Sequence, residues 1–307
     1  MGLGKALAGT AALGAAGLAY AYWEAQQFTL RRTEVTLLPL GQPDLRILHL
    51  SDLHFIPGQD RKHSWLGSLR DLNPDLVVVT GDFLADQDAI PHVLDSLDPL
   101  FDIPGVFVLG SNDYFAPRPI NPAKYLRGPS QVPPQREMLP WRDLVDGLTD
   151  VGWIDLSNAA AVVKADGRLL DLRGVDDPHI ARDRYDLVAG PFDAEADLAI
   201  GVVHAPYLRV LDGFVGDGAD LLLAGHTHGG QLRVPGYGAL VTNCDLDRRQ
   251  ARGLSDYLSR DLAGAGRVTP LHVSAGCGTS PYVPFRFACR PEATLLTLTA
   301  PLSAALR

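Results

Sequence analysis

A chain of 307 residues, 46% of them hydrophobic, can build one large α/β domain or two smaller ones and is not a disordered polymer. Lys and Arg number 27 against 36 Asp and Glu, and the formal charge of −9 argues against general affinity for a nucleic-acid backbone, which needs clustered cations. Cys244, Cys277 and Cys289 fit neither a disulfide framework nor a Cys-x-x-Cys zinc site and read as ordinary thiols.

After Lys5 the chain runs ALAGTAALGAAGLAYAYW, eighteen uncharged residues ending at Glu24. As a helix they extend about 27 Å, just short of a hydrocarbon core of roughly 30 Å. Residues 1–30 are therefore expected to be an N-terminal hydrophobic helix, either a single transmembrane anchor or a signal segment cleaved on export, with Ala-Tyr-Ala at 19–21. Residues 31–307 are expected to form the globular domain.

Within it, LRILHL (45–50), DLVVVT (75–80), GVFVLG (105–110), LAIGVV (198–203) and DLLLAG (220–225) are continuous apolar runs, the pattern of strands buried on both faces. RKHSWLGSLRDLNP, stopped by Pro74, and QDAIPHVLDSLDPL have helical spacing. The alternation implies right-handed crossovers and a mixed or mostly parallel α/β sheet. Residues 116–142 interrupt it with seven prolines, and Arg118, Lys124, Arg127, Arg136 and Arg142 are opposed in charge only by Glu137. Such an insertion, directly after a strand end, suits a substrate lid or a contact for anionic lipid. RVTPLHVSAG (267–276) and EATLLTLTA (292–300) read as further strands around the Gly/Pro-rich CGTSPYVPFRFACRP.

The residues just past each strand carry the chemistry. SDLH supplies Asp52 and His54, GDF supplies Asp82, SND supplies Asn112, and the last two strands lead to His204 and to His226 and His228. In open α/β sheets, ligands bind beyond the carboxyl ends of the strands. Asp or Asn after one strand is ordinary turn chemistry, but five consecutive strand ends delivering Asp, Asn or His are not. Carboxylates and imidazoles without thiolate favour Mn, Fe or Zn over a structural cysteine site. Seven candidates are too many for one tetrahedral ion and suit two divalent ions sharing a carboxylate, roughly 3.5–4 Å apart. Gly81, Gly110 and Gly225 stand where a crowded site needs close backbone approach.

Other polar residues read differently. His49 is a core histidine, and His63, His92 and His272 have no ligand-like context. Asp176, Asp177 and His179 in GVDDPHI read as a turn, with a place lining the site as the alternative. Gln231 reads as a supporting donor, and Arg286 and Arg290 as either phosphate contacts or braces for the tail.

Together, SDLH, GDF, GSND, VH and GHTHGG resemble the calcineurin-like metallophosphoesterase superfamily from about residue 44 to 298, and the tail SAGCGTSPYVPFRFACRPE is similar to that of its membrane-associated bacterial YkuE-type branch. The resemblance implies a two-sheet α/β sandwich flanked by helices. It implies that Asp52, His54 and His228 bind one metal, Asp82 bridges, and Asn112, His204 and His226 bind the other, with a metal-bridging hydroxide as nucleophile. It also implies a phosphodiester or pyrophosphate substrate, including a lipid such as a UDP-diacylglucosamine-like molecule, at a bacterial cell membrane. The alternatives are a phosphomonoesterase or phosphoprotein phosphatase, and a membrane-anchored metal-binding scaffold with little catalysis.

Two departures matter. The family's Gly-Asn-His-Asp is here Gly110-Ser111-Asn112-Asp113, so Asn112 is expected to ligate through a one-residue shift, with Ser111 the alternative. No histidine stands beside it, which leaves Asp113 or water to protonate the leaving group and favours substrates with good leaving groups. The purple acid phosphatase branch has a Tyr ligand three residues after the bridging Asp; Ala85 occupies that place, so no charge-transfer iron site is expected.

Overall fold

The computed structural model describes residues 2–119, 136–260 and 266–301, so Lys124 and Arg127 of the Pro-rich segment lie outside the described residues. Two six-stranded sheets form the body. The first holds β1 (Thr29–Thr36), β2 (Leu45–Leu50), β3 (Leu76–Thr80), β4 (Gly105–Val108), β5 (Ile154–Asp155) and, from the far end of the chain, β14 (Glu292–Thr299). Their order is β1-β14-β2-β3-β4-β5. The second holds β6 (Ala159–Ala165), β7 (Arg168–Val175), β8 (Leu198–Val203), β9 (Leu221–Ala224), β12 (Gly253–Leu258) and β13 (Val268–Val273), ordered β12-β13-β9-β8-β7-β6. A small hairpin pairs β10 (Arg233–Val234) with β11 (Gly238–Ala239). The strands from β2 to β5 are parallel, as are β7, β8, β9 and β13.

The helices are α1 (Gly2–Glu24), α2 (Asp60–Ser68), α3 (Ile90–Leu97), the short α4 (Ser111–Tyr114), α5 (Trp141–Asp150) and α6 (Leu208–Asp217). Strand alternation explains why the central runs are apolar throughout. In β2 and β3, Leu45, Ile47, Leu76 and Val78 meet Leu170, Leu172, Ile200 and Leu223 of the other sheet. Their neighbours Leu48, Leu50, Val77 and Val79 pack outward with Leu66, Val93, Leu97 and Leu144 of α2, α3 and α5. On the far face Val210, Leu211 and Phe214 of α6 cover Val203, Leu222 and Ala224. Each side chain so buried contributes about 1.5–3 kcal/mol, which fixes the strand register and hence the loops at the strand ends.

The expected helix before Pro74 ends earlier, at Ser68, passes through a tight turn, and reverses at Asn73 with φ of 46°. Among the described residues no helix is long and apolar enough to cross a membrane. The expectation of a spanning anchor therefore finds no support in α1, whose Ala and Gly residues contribute little to transfer into hydrocarbon.

Candidate metal centre

Every ligand candidate leaves the C-terminal end of a parallel strand: Asp52 and His54 come after β2, Asp82 after β3, Asn112 after β4, His204 after β8, and His226 and His228 after β9. Backbone bonds stitch these loops together, Asp52 N to Gly81 O at 2.9 Å, His54 N to Asp82 O at 2.9 Å and Gly225 N to His204 O at 2.8 Å. Asp52, His54, Asp82, His226 and His228 all have φ between 44° and 67°. Left-handed backbone costs a non-glycine residue about 1–3 kcal/mol and persists where the surroundings demand it. Room is made by glycine. A Cβ on Gly225 would overlap Ser51 Oγ, one on Gly110 would overlap the Asp82 carboxylate, and one on Gly81 would stand 2.9 Å from His204 Nδ1.

The seven side chains converge. Among the described residues, Asp52, His54, Asp82 and His228 offer ligand atoms all within 4.8 Å of one another. His228 Nε2 lies 3.3 Å from Asp52 Oδ1 and 3.1 Å from His54 Nε2, and His54 Nε2 lies 3.6 Å from Asp82 Oδ2. Asp82 also faces the other set: its Oδ2 is 3.5 Å from His204 Nε2 and accepts from the Asn112 side-chain NH₂ at 2.7 Å, so ligation by the Asn112 amide oxygen would require that amide to turn. The His226 ring stands 5.2 Å from that of His204. Asp82 is thus the carboxylate common to both halves.

Hydrogen bonds orient the donors. His204 Nδ1 donates to Thr80 O at 2.6 Å, which leaves Nε2, buried and without a hydrogen-bond partner, as the nitrogen that faces Asp82 and that a cation would take in place of a proton. His226 Nε2 meets Asn243 O at 3.2 Å, which leaves Nδ1 as its lone-pair nitrogen. Asp52 Oδ2 accepts from Ser51 Oγ at 2.6 Å and from His226 N at 3.1 Å, whereas Asp52 Oδ1 has no hydrogen-bond partner. Buried acceptors without donors are uncommon in a folded chain. Oxygen and imidazole atoms orphaned in one place fit divalent cations of the Mn, Fe or Zn type.

Burial pushes Asp52 up to about 6. Burial also works to raise Asp82, but His204, His54 and the Asn112 bonds hold it well below the usual carboxylate range. Burial lowers His54 to about 4 and holds His226 and His228 well below their ordinary value, so all three are neutral near pH 7. For His204 burial is outweighed by Asp82, Asp177 and Asp52, which raise it to about 9.

The surroundings bring corrections. Asp113 does not face the site as a proton donor. Its fully buried carboxylate accepts from Asp82 N (2.9 Å), Phe83 N (2.7 Å), Leu84 N (3.1 Å) and Gly110 N (2.8 Å), and so braces the Asp82 loop against α4. Burial and Asp82 push it up to about 8, while those N–H donors pull the other way. The segment 176–179 does turn, with Asp177 accepting from His179 N, yet it also lines the site. The His179 ring is 4.5 Å from that of His226, and burial raises Asp177 to about 7. His272 pairs with the other core histidine, its Nδ1 2.8 Å from His49 Nδ1, and His49 Nε2 meets Thr80 Oγ1 at 2.9 Å.

Arg286 is a brace. Fully buried, it donates to Gly278 O at 2.7 Å and to His228 Nδ1 at 3.2 Å, so the proton of the neutral ring rests on Nε2, 3.3 Å from Asp52 Oδ1, and a cation binding there would displace it. Gln231 supports the same segment by donating to Val283 O and Phe285 O. Lys62 joins them without any sign in the sequence. It is buried on α2 and donates to Leu53 O, His54 O and Gln59 Oε1, and burial lowers it to about 7. A helical Lys in a polar stretch looks the same whether or not it makes such contacts.

Known proteins resemble this chain in sequence. The calcineurin-like phosphoesterase family matches residues 45–230, which contain every ligand candidate. The uncharacterised protein YpbG of Bacillus subtilis is 28% identical over 85% of this chain and 83% of its own length. The metallophosphoesterase YkuE of the same organism is 26% identical over 97% and 95%. Phosphodiesterase YaeI of Escherichia coli is 28% identical over 90% of each. With more than half of the chain matched and the strand ends of both sheets gathered on Asp82, the chain belongs to the calcineurin-like phosphoesterase family, as a metal-dependent phosphoester hydrolase.

Proposed function

We propose that the chain hydrolyses a phosphodiester or pyrophosphate bond with two divalent cations. Asp52, His54, Asp82 and His228 would hold one, and Asp82, Asn112, His204 and His226 the other. The observation that carries this reading is the position of Asp82, in reach of His54 on one side and of His204 and Asn112 on the other. Such ions, when bound, polarise phosphoryl oxygens and activate water. The chain's own part is to hold the ligands. Thr80 O fixes the His204 tautomer, Asn112 N holds Asp82 Oδ1 at 2.8 Å, and Ser51 orients Asp52.

A cleft of about 460 Å³ is lined by residues a few positions past the ligands of β2, β3 and β4, Ile56 and Pro57, Ala85 and Gln87, Ala116 and Pro117, together with the acidic Asp86 and Glu137. Its size suits a bulky group attached to the phosphate. The diester preference draws support from the name of the Escherichia coli relative. A lipid-linked substrate and membrane association through the N-terminus are part of this proposal. They draw support from Leu18, Tyr20, Tyr22 and Trp23, which α1 leaves exposed, since aromatic residues favour a bilayer interface.

With no histidine beside Asn112 and Asp113 engaged by backbone N–H groups, the α4 loop offers no ready proton donor. Loss of a positioned acid costs about 10²–10⁴ in rate, most with poor leaving groups. Turnover of aryl phosphodiesters is therefore expected to fall steeply as leaving-group pKa rises, and diesters to outpace matched monoesters. A flat dependence would mean that another group supplies the proton. Faster monoester turnover would move the assignment to a phosphomonoesterase.

A further inference from the structure

The C-terminal turn of α1 is built into the wall of the proposed metal site. Glu24, only 3% exposed, accepts from Cys289 N at 2.8 Å and Ala288 N at 3.0 Å, and Ala21 O accepts from Arg286 N at 2.9 Å. Tyr20 and Tyr22 pack edge-on against Phe287 and Phe285. Segment 285–289 is thus held from outside by α1, and it holds His228 from inside. The Arg286 guanidinium meets His228 Nδ1 at 3.2 Å, and Cys289 Sγ meets His228 O at 3.3 Å. Phe287 is also tied to Gln231 O and Arg233 N, and Ala288 sits at φ of 52°, a conformation that a non-glycine residue keeps only where its surroundings hold it.

We infer that Glu24 is a positioning residue for the metal site: by clamping the Ala288 and Cys289 amides it sets Arg286, and Arg286 sets His228. The inference rests on the two-cation reading above. It gives α1 a role in the site besides any contact with a membrane. Proteolytic removal of residues up to Ala21 would cut the Ala21 O contact and loosen the same segment.

The amide donors differ in what can replace the carboxylate. Glu24→Ala removes the acceptor of the buried Cys289 N–H and of the partly buried Ala288 N–H. Glu24→Gln keeps one amide oxygen but presents an NH₂ to the second donor. Groups that orient a ligand typically govern affinity by about 10–100-fold.

The test is Mn²⁺ binding to the full-length, metal-stripped chain, read by titration calorimetry and electron paramagnetic resonance. Glu24→Ala is expected to weaken one of two binding steps about 10–100-fold. The other step should hold, and the coupled two-ion spectrum should give way to that of isolated Mn²⁺. Glu24→Gln is expected to fall between it and the unaltered chain. Leu18→Ser, exposed on the same helix, should bind like the unaltered chain. General destabilisation would weaken both steps together, so a selective loss separates positioning from folding. Unchanged affinities and spectrum in folded Glu24→Ala overturn the inference, as they do in Glu24→Gln if the Ala variant does not fold. Failure of the unaltered chain to bind two ions would instead overturn the two-cation reading.

Discussion

Asp82→Asn is expected to lower phosphodiester turnover by about 10³-fold or more, equivalent to about 4 kcal/mol of transition-state stabilisation, while the fold survives. The side chain sits where the two ligand sets meet, 3.6 Å from His54 Nε2, 3.5 Å from His204 Nε2 and 2.7 Å from the Asn112 amide. An amide of the same shape removes the charge that both cations would share. It also turns an NH₂ toward groups that now face a carboxylate oxygen. The bond from Asn112 N to Asp82 Oδ1 can persist, so the loop keeps its course. Turnover of the purified variant with excess Mn²⁺, alongside its melting temperature, checks this. Activity within about tenfold of the unaltered chain would remove Asp82 from the centre of the mechanism.

Asp113→Ala should damage the protein differently, by stability. Its carboxylate gathers four backbone N–H groups from two loops, and the residue is fully buried. Each orphaned buried donor costs about 1–3 kcal/mol, partly recovered by relaxation, and a net loss of about 3–5 kcal/mol is expected. Asp113→Asn should fall between, because its amide oxygen still accepts while its NH₂ opposes the remaining donors. Urea unfolding monitored by circular dichroism gives the difference directly. A loss under about 1 kcal/mol for the Ala variant would mean that the bonds are not holding the loop.

These two neighbours in space show where the sequence is readable and where it is not. Asp82 is identifiable because it ends a strand whose run Leu76–Thr80 is buried on both faces, as the runs before Asp52, His204 and His226 are. Burial on both faces leaves a signal in composition, and strand ends then locate the site. The sequence also puts Asp113 near the site, but its role there is hidden. A carboxylate that serves backbone amides looks the same in sequence as one that serves a substrate.

Other parts leave no such trace. Strand β1, TLRRTEVT, lies at a sheet edge with its residues partly or fully exposed, so no apolar run marks it. Lys62, Arg286 and Glu24 act through main-chain groups, which carry no residue identity. The segment 176–179 satisfies every rule for a turn and is one. Its place beside His226 depends on β7 lying next to β8 in the second sheet, a pairing that sequence periodicity does not encode.

Hydrolysis that depends on two cations gathered around Asp82 must track metal loading. The decisive experiment is Mn²⁺ titration of the metal-stripped chain, with bis-p-nitrophenyl phosphate turnover followed at each step. The stripped protein is expected to be inactive and to take up two ions per chain, with turnover reaching its plateau as the second ion binds. Full turnover without metal, or a plateau with a single ion bound, would refute the two-cation mechanism.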